Sequence, residues 1–82
     1  MFKVYILYSE QHDKYYIGQT QDIESRVARH NSGHVPFTSK YLPWKLELIL
    51  DKESRSEALE LEKKLKNLSK ERIKKFINKY KK

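Results

Sequence analysis

The chain has 82 residues, no cysteine and a formal net charge of +7, which fits one small domain without disulfides or thiolate metal sites. This charge favours a polyanionic partner, with nucleic acid ahead of a membrane surface, although the solvated faces of two helices would give the same count. No segment reaches the roughly 18 apolar residues of a membrane span, and the N-terminus lacks the apolar run of a signal peptide, so we expect a cytoplasmic protein.

The first half of the chain predicts a β-hairpin followed by a helix. Residues 2–8 alternate in the way of a strand covered on both faces, and a polar turn leads to a second, antiparallel strand over residues 15–19. Thr20 or Asp22 can cap the next helix, which we expect to run to about Ser32 and to end at Gly33.

The second half predicts one more strand and two more helices. Residues 34–43 are polar and irregular, and alternation over residues 44–51 then indicates the third strand. Ser54 with Glu57 matches a capping box that opens the second helix, and Ser69 can cap the third. We therefore expect an α+β fold of order ββαβαα, a small three-stranded antiparallel sheet flanked by helices.

Five polar residues do not fit a purely structural interpretation of these elements. At 100° per residue, Arg26 and His30 share the apolar arc of the first helix, and Glu62 shares that of the second. A charge facing inward needs compensation by another residue, a metal or a ligand. Together with Tyr5 and Tyr16 on the two strands, these residues could form a compact site for cutting a phosphodiester. The alternative is a buried Arg26–Glu62 salt bridge without function.

The same residues occur in an order that resembles a known family. The chain is similar to the GIY-YIG nuclease domains, in particular to small single-domain bacterial members, over about residues 2–78. Five motifs carry the resemblance: Val4-Tyr5, Tyr16-Ile17-Gly18, Arg26-x-x-x-His30-Asn31-x-Gly33, Pro43-Trp44 and Ala58-x-x-x-Glu62-x-x-Leu65-Lys66. Lys3 replaces the first signature glycine, and Gln19 stands where some branches of the family have a lysine.

The resemblance implies a catalytic set and a metal. It assigns Glu62 as the ligand of one Mg²⁺ or Mn²⁺, which takes its other ligands from water and phosphate. Arg26 would bind the charge that grows on the phosphate oxygens. Tyr5 and Tyr16 would orient or deprotonate the attacking water, and His30 would support that proton transfer.

The leading hypothesis is a divalent-metal-dependent endonuclease acting on DNA, with Gly18 allowing close approach of the substrate backbone. Thr38, Ser39, Lys40 and Lys66 would contact phosphates, which positions the substrate without specifying its sequence. With no second domain, we expect weak sequence specificity, guided by substrate shape or by a partner, in repair, recombination or defence. A non-catalytic nucleic-acid-binding module of the same fold is the alternative. A third hypothesis is an interaction domain whose basic last helix docks on an acidic protein.

Overall fold

The computed structural model describes residues 1–81. Its elements follow the predicted order ββαβαα, with one addition: a single-turn 3₁₀ helix interrupts the region that we expected to be irregular. Their bounds are β1 (Phe2–Ser9), β2 (Lys14–Thr20), α1 (Ile23–Asn31), the 3₁₀ helix (Thr38–Tyr41), β3 (Lys45–Lys52), α2 (Arg55–Lys66) and α3 (Lys70–Tyr80).

The three strands form an antiparallel sheet in the order β2-β1-β3. Strand β1 is central, and its pairing with β2 is regular from Lys3 opposite Thr20 to Ser9 opposite Lys14. Its pairing with β3 shifts between Ile6 and Leu7, which is the mark of a β-bulge. Strand β2 therefore lies at one edge of the sheet, and its two faces lie toward different helices.

Helices cover both faces of the sheet, as the alternation in β1 predicts. One face packs on α2 and α3 through a core of apolar side chains: Val4, Ile6, Ile17, Leu48, Ala58, Leu65, Ile73 and Ile77. The opposite face, on the side of α1, holds a smaller cluster around Tyr5, Leu7 and Trp44. Burying each aliphatic side chain stabilises the fold by about 1.5–3 kcal/mol. The side chains on both faces of the sheet therefore pack against the central strand β1.

Capping residues set the helix ends near the predicted positions. Asp22, rather than Thr20, caps α1, and its side chain accepts a hydrogen bond from the backbone N–H of Ser25. Ser54 and Ser69 cap α2 and α3 in the same way. Gly33 follows the end of α1 with a φ of 84°, a left-handed conformation that glycine adopts at little cost. Within residues 1–81, no helix is both long enough and apolar enough to cross a membrane.

Candidate active site

Tyr5 and Gly18 face each other across the pair of strands β1 and β2. The Tyr5 ring lies over the glycine backbone: a Cβ placed on Gly18 would come within 2.5 Å of the Tyr5 hydroxyl oxygen and 2.7 Å of its ring carbon Cζ. Only a residue without a side chain leaves room for the ring. Strand pairing and a missing Cβ therefore fix where the hydroxyl of the buried Tyr5 lies.

A chain of hydrogen bonds leads from Tyr5 into the protein. The Tyr5 hydroxyl oxygen lies 3.0 Å from Nε2 of His30, and Nδ1 of that ring lies 3.0 Å from the hydroxyl oxygen of Thr38. Thr38 in turn donates to the carbonyl oxygen of Val35 at 3.4 Å. Because that bond uses the Thr38 proton, we assign Nδ1–H of His30 as donor to Thr38 and Nε2 as acceptor from Tyr5.

Two further contacts hold Thr38 against His30. The indole Nε1 of Trp44 donates to the backbone carbonyl of Thr38 at 2.8 Å. Asn31, at the end of α1, accepts from the Trp44 backbone N–H at 2.7 Å and donates to the Trp44 carbonyl at 3.0 Å. Helix α1, the 3₁₀ helix and the residue before β3 are thereby tied together. Asn31 and Trp44 thus position Thr38, the last side chain in the chain of bonds.

The environment keeps both Tyr5 and His30 uncharged. Burial raises the pKa of Tyr5 to about 12, and the neighbouring Tyr16 and Glu62 act in the same direction, while the nearby Arg26 guanidinium opposes it. Burial also lowers the pKa of His30 below its usual 6.5, helped by the positive charges of Arg26 and Arg29. At neutral pH the pair is a neutral phenol bonded to a neutral imidazole.

Tyr16 lies on the same face of the sheet as Tyr5 and is only partly buried. The centroid of its ring is 4.8 Å from that of His30 and 6.4 Å from that of Tyr5. Tyr5 and His30 are each 1% exposed. Of the two tyrosines, Tyr16 is therefore the more accessible to a ligand from solvent.

Glu62 reaches the same edge of the sheet from the opposite layer. Its Oε1 accepts a hydrogen bond from Nε2 of Gln19 at 2.9 Å, and its Oε2 lies 2.8 Å from Nζ of Lys66. Gln19 follows Gly18 on β2, so this bond fixes the carboxylate beside the edge strand. The Glu62 side chain is 14% exposed, and its charge contributes to the raised pKa of Tyr5.

A cleft of about 430 Å³ opens beside these groups, where β2 ends and α1 and α2 begin. Arg26 and Arg55 line it together with Gln19 and Phe2. The guanidinium carbon of Arg55 lies 5.8 Å from the centre of the Phe2 ring. Two arginines at one cleft suit a phosphate backbone. Arg55 was not predicted from the sequence, because only the fold brings the first turn of α2 to the same cleft as Arg26.

The family model described as the GIY-YIG catalytic domain matches residues 1–81 of this chain. The chain belongs to the GIY-YIG family. Among solved structures, the solution NMR structure of a UPF0213 protein from Bacillus halodurans is 28% identical to it, with a TM-score of 0.63. The match covers 98% of this chain and 86% of the other. No curated protein matches the chain.

Membership in the GIY-YIG family confirms the resemblance and the fold expected from the sequence, and it points to a nuclease. The structure brings Tyr5, Tyr16, Arg26 and His30 together on the α1 side of the sheet, with Glu62 approaching from α2. In this GIY-YIG chain Gln19, which stands where some branches of the family have a lysine, is the hydrogen-bond partner of Glu62.

Two predicted contacts of the GIY-YIG chain with nucleic acid, at Thr38 and Gly18, do not fit the structure, and the other predicted contacts stay predictions. The Thr38 hydroxyl is buried and bonded to His30, so it is not free for a phosphate. Gly18 admits the Tyr5 ring rather than a substrate backbone. The Lys66 ammonium is bound to Glu62, although the side chain is 54% exposed and can move. Ser39 and Lys40 lie beside Thr38 at the surface of the 3₁₀ helix, where their predicted phosphate contacts stay predictions.

Helical geometry predicted that His30, Arg26 and Glu62 face inward. In the structure His30 is buried, and Arg26 and Glu62 are partly buried. The alternative of an Arg26–Glu62 salt bridge is wrong within residues 1–81, because the carboxylate pairs there with Lys66. Arg26 instead acts on the Tyr5 hydroxyl, whose pKa it lowers. In this GIY-YIG chain, Arg26 and Glu62 therefore have different partners, the Tyr5 hydroxyl and the Lys66 ammonium.

Proposed function

We propose that this protein hydrolyses phosphodiester bonds in DNA, using Mg²⁺ or Mn²⁺ held by Glu62. The observation that carries the proposal is the hydrogen bond between the Tyr5 hydroxyl and His30, with Thr38 behind the ring. This arrangement gives a buried neutral imidazole that can take a proton through a phenol. A phenol and an imidazole bonded in this way can act together as the general base when water attacks an electrophile.

The raised pKa of Tyr5 makes a free phenolate unfavourable, so we infer a relay in which none forms. The Tyr5 oxygen can accept a hydrogen bond from the attacking water while its own proton points at Nε2 of His30. As the water attacks the phosphate, its proton passes to the Tyr5 oxygen and the Tyr5 proton passes to His30. The imidazolium that results keeps its Nδ1–H bonded to Thr38.

Arg26 has two tasks in this scheme. In the free protein its guanidinium acts on the Tyr5 hydroxyl, and Tyr5 is 1% exposed. A phosphate in the adjoining cleft would draw the guanidinium toward itself, which stabilises the growing negative charge and admits water to Tyr5. Tyr16, accessible from solvent, would orient that water or the phosphate.

The donor set around Glu62 fits a hard divalent cation with one protein ligand. Carboxylate oxygen suits Mg²⁺, and the ammonium of Lys66 at 2.8 Å shows that the group already attracts a cation. Within residues 1–81, no three His, Asp or Glu side chains converge as a ready-made metal site. Water and substrate phosphate would therefore complete the coordination. When bound, the metal would polarise the phosphate and stabilise the leaving oxygen.

Incubation of the purified protein with supercoiled plasmid tests the proposal. We expect nicking with Mg²⁺ or Mn²⁺ and none with EDTA, because the leaving oxygen needs the metal's charge. Nicking that continues in EDTA would overturn the metal requirement. No nicking of any DNA, together with a salt-sensitive gel shift, would favour the non-catalytic binding module instead.

The pH dependence of cleavage should follow His30. The relay needs a neutral ring, and because the pKa of His30 is lowered from its usual 6.5, most of the rings are still neutral at pH 6.5. The rate should therefore persist as the pH falls through 6.5 and decline only in more acidic solution. Tyr5, which is bonded to the ring, stays protonated over this range because burial raises its pKa to about 12.

A pH–rate profile of wild type, His30→Gln and His34→Gln measures this. His30→Gln should cost about 10²–10⁴ in rate and remove the acid limb, since glutamine neither accepts the proton nor titrates. The exposed His34 is the matched control and should leave the profile unchanged. An acid limb at or above pH 6.5, or one that survives in His30→Gln, would contradict the relay.

A further inference from the structure

We propose that a strip of aromatic side chains beside the active site binds an unstacked nucleobase, so that the enzyme prefers DNA with unpaired nucleotides next to the cut. We call this the aromatic strip; it consists of Tyr16, Phe37, Tyr41 and His12. The inference deepens the proposed nuclease function and rests on it for the reaction. It adds a binding site and a substrate class that the catalytic residues alone do not define.

Phe37 is the central residue of the aromatic strip, between Tyr16 and Tyr41. Its side chain is 56% exposed, although a phenylalanine that served the core would be buried. It lies between α1 and the 3₁₀ helix, with its ring centroid 6.1 Å from that of Tyr16 and 5.6 Å from that of Tyr41. An apolar ring held against other rings and open to solvent on its other side is a surface for a ligand.

The aromatic strip begins at the catalytic residues and leads away from them. Tyr16 has its ring 4.8 Å from His30, which bonds to Tyr5. From Tyr16 the rings follow through Phe37 to Tyr41, and His12 lies 5.4 Å beyond Tyr41. A nucleotide whose phosphate lay at Tyr16 would thus have its base, or that of its neighbour, within reach of Phe37.

Positive charge accompanies the aromatic strip. Nζ of Lys14 lies 5.5 Å from the centre of the Tyr41 ring, and the exposed Lys40 precedes Tyr41 in the 3₁₀ helix. Rings interleaved with cations match a strand that offers bases and phosphates in turn. An apolar partner would not need the lysines, and an acidic peptide would not need the exposed phenyl ring. A nucleic acid strand uses both.

The preference for unpaired nucleotides follows from the chemistry of stacking. Inside a duplex, each base has its two faces covered by neighbouring pairs, so an aromatic side chain cannot stack on it without opening the helix. A base in a single strand, bulge or flap has a free face. Stacking on an aromatic side chain is worth about 1–3 kcal/mol per base, which corresponds to about 5- to 150-fold in affinity.

The test measures DNA binding by the 82-residue chain in EDTA, where cleavage is prevented. The probes are a single-stranded oligonucleotide containing 2-aminopurine, whose fluorescence reports stacking, and the matching fully paired duplex. Wild type should bind the single strand more tightly and change its fluorescence. Phe37→Ala should weaken single-strand binding by about 5- to 150-fold, with little effect on the duplex.

Two further variants test whether a loss of binding in Phe37→Ala comes from the missing aromatic ring at this position. Phe37→Trp should retain single-strand binding because the larger ring stacks equally well. Tyr80→Ala, which removes a similarly exposed aromatic side chain on α3, should leave binding unchanged. Equal losses for single strand and duplex in Phe37→Ala would overturn the inference. So would unchanged single-strand binding in Phe37→Ala, or a loss in Tyr80→Ala as large as that in Phe37→Ala.

A cleavage assay with Mg²⁺ separates this inference from the nuclease proposal. Its substrates are a fully paired duplex and the same duplex with a short unpaired bulge. Faster cutting at the bulge by wild type, lost in Phe37→Ala, supports both. Equal cutting of the two substrates by wild type and Phe37→Ala would overturn the aromatic strip and leave the nuclease intact. No cutting, with a 2-aminopurine signal that depends on Phe37, would overturn the nuclease and support the strip.

Discussion

Replacing Glu62 with glutamine should abolish metal-dependent cleavage while leaving DNA affinity within a few-fold of wild type. Glutamine has nearly the same shape and can keep a hydrogen bond to Gln19, but it lacks the charge that a divalent cation requires. Because the metal supplies several kcal/mol of transition-state stabilisation, we expect a loss of at least about 10³-fold in rate. The measurement is plasmid nicking as a function of Mg²⁺ concentration, with binding followed separately in EDTA.

Glu60→Gln is the matched control for this experiment. Glu60 lies on the same helix and is exposed, so its replacement removes the same charge from α2 without reaching the site. Its cleavage should match wild type, and circular dichroism should show both variants folded. Wild-type turnover in Glu62→Gln would rule out Glu62 as the metal ligand. A similar loss in both variants would show that the effect comes from overall charge.

Replacing Gly18 with alanine should damage both stability and catalysis. The new Cβ would lie 2.5 Å from the Tyr5 hydroxyl oxygen, so the ring must move. The ring is buried and opposed across the strand pair, which makes that movement cost about 1–3 kcal/mol of the free energy of unfolding. The shift also takes the hydroxyl away from Nε2 of His30, so the rate should fall by about 10²-fold or more.

Gly33→Ala separates the two effects. Gly33 has a positive φ, so alanine there strains the backbone and costs at least about 1 kcal/mol, but the added methyl group meets nothing closer than 3.8 Å. Denaturant unfolding and single-turnover cleavage should show both variants destabilised and only Gly18→Ala slow in the folded state. Wild-type cleavage by folded Gly18→Ala would mean that the position of the Tyr5 hydroxyl is unimportant.

Much of the fold was predictable because it rests on local patterns. Alternation identified the strands, and the caps at Asp22, Ser54 and Ser69 mark helix starts that short-range hydrogen bonds create. Gly33 ends α1 for a reason confined to its own backbone. The 3₁₀ helix was missed because one turn leaves no periodicity to detect.

The candidate site was predictable as a set of residues and not as a set of contacts. Helical geometry shows that His30 faces inward, and the resemblance places it in one site with Tyr5 and Tyr16, but neither reveals that Thr38 lies behind its ring. That contact depends on the indole of Trp44 holding the Thr38 carbonyl. The role of Gly18 likewise depends on strand register, which places it opposite Tyr5 and not beside a substrate.

The separation of these groups along the chain has a consequence for the cell that makes the protein. Tyr5 meets His30 25 residues later, and Gln19 meets Glu62 43 residues later. Both contacts need the finished sheet with a helical layer on each face. A growing or partly unfolded chain therefore carries the net charge of +7 without the assembled groups of the candidate site. Under the proposed function, cleavage would thus be confined to finished copies of the protein.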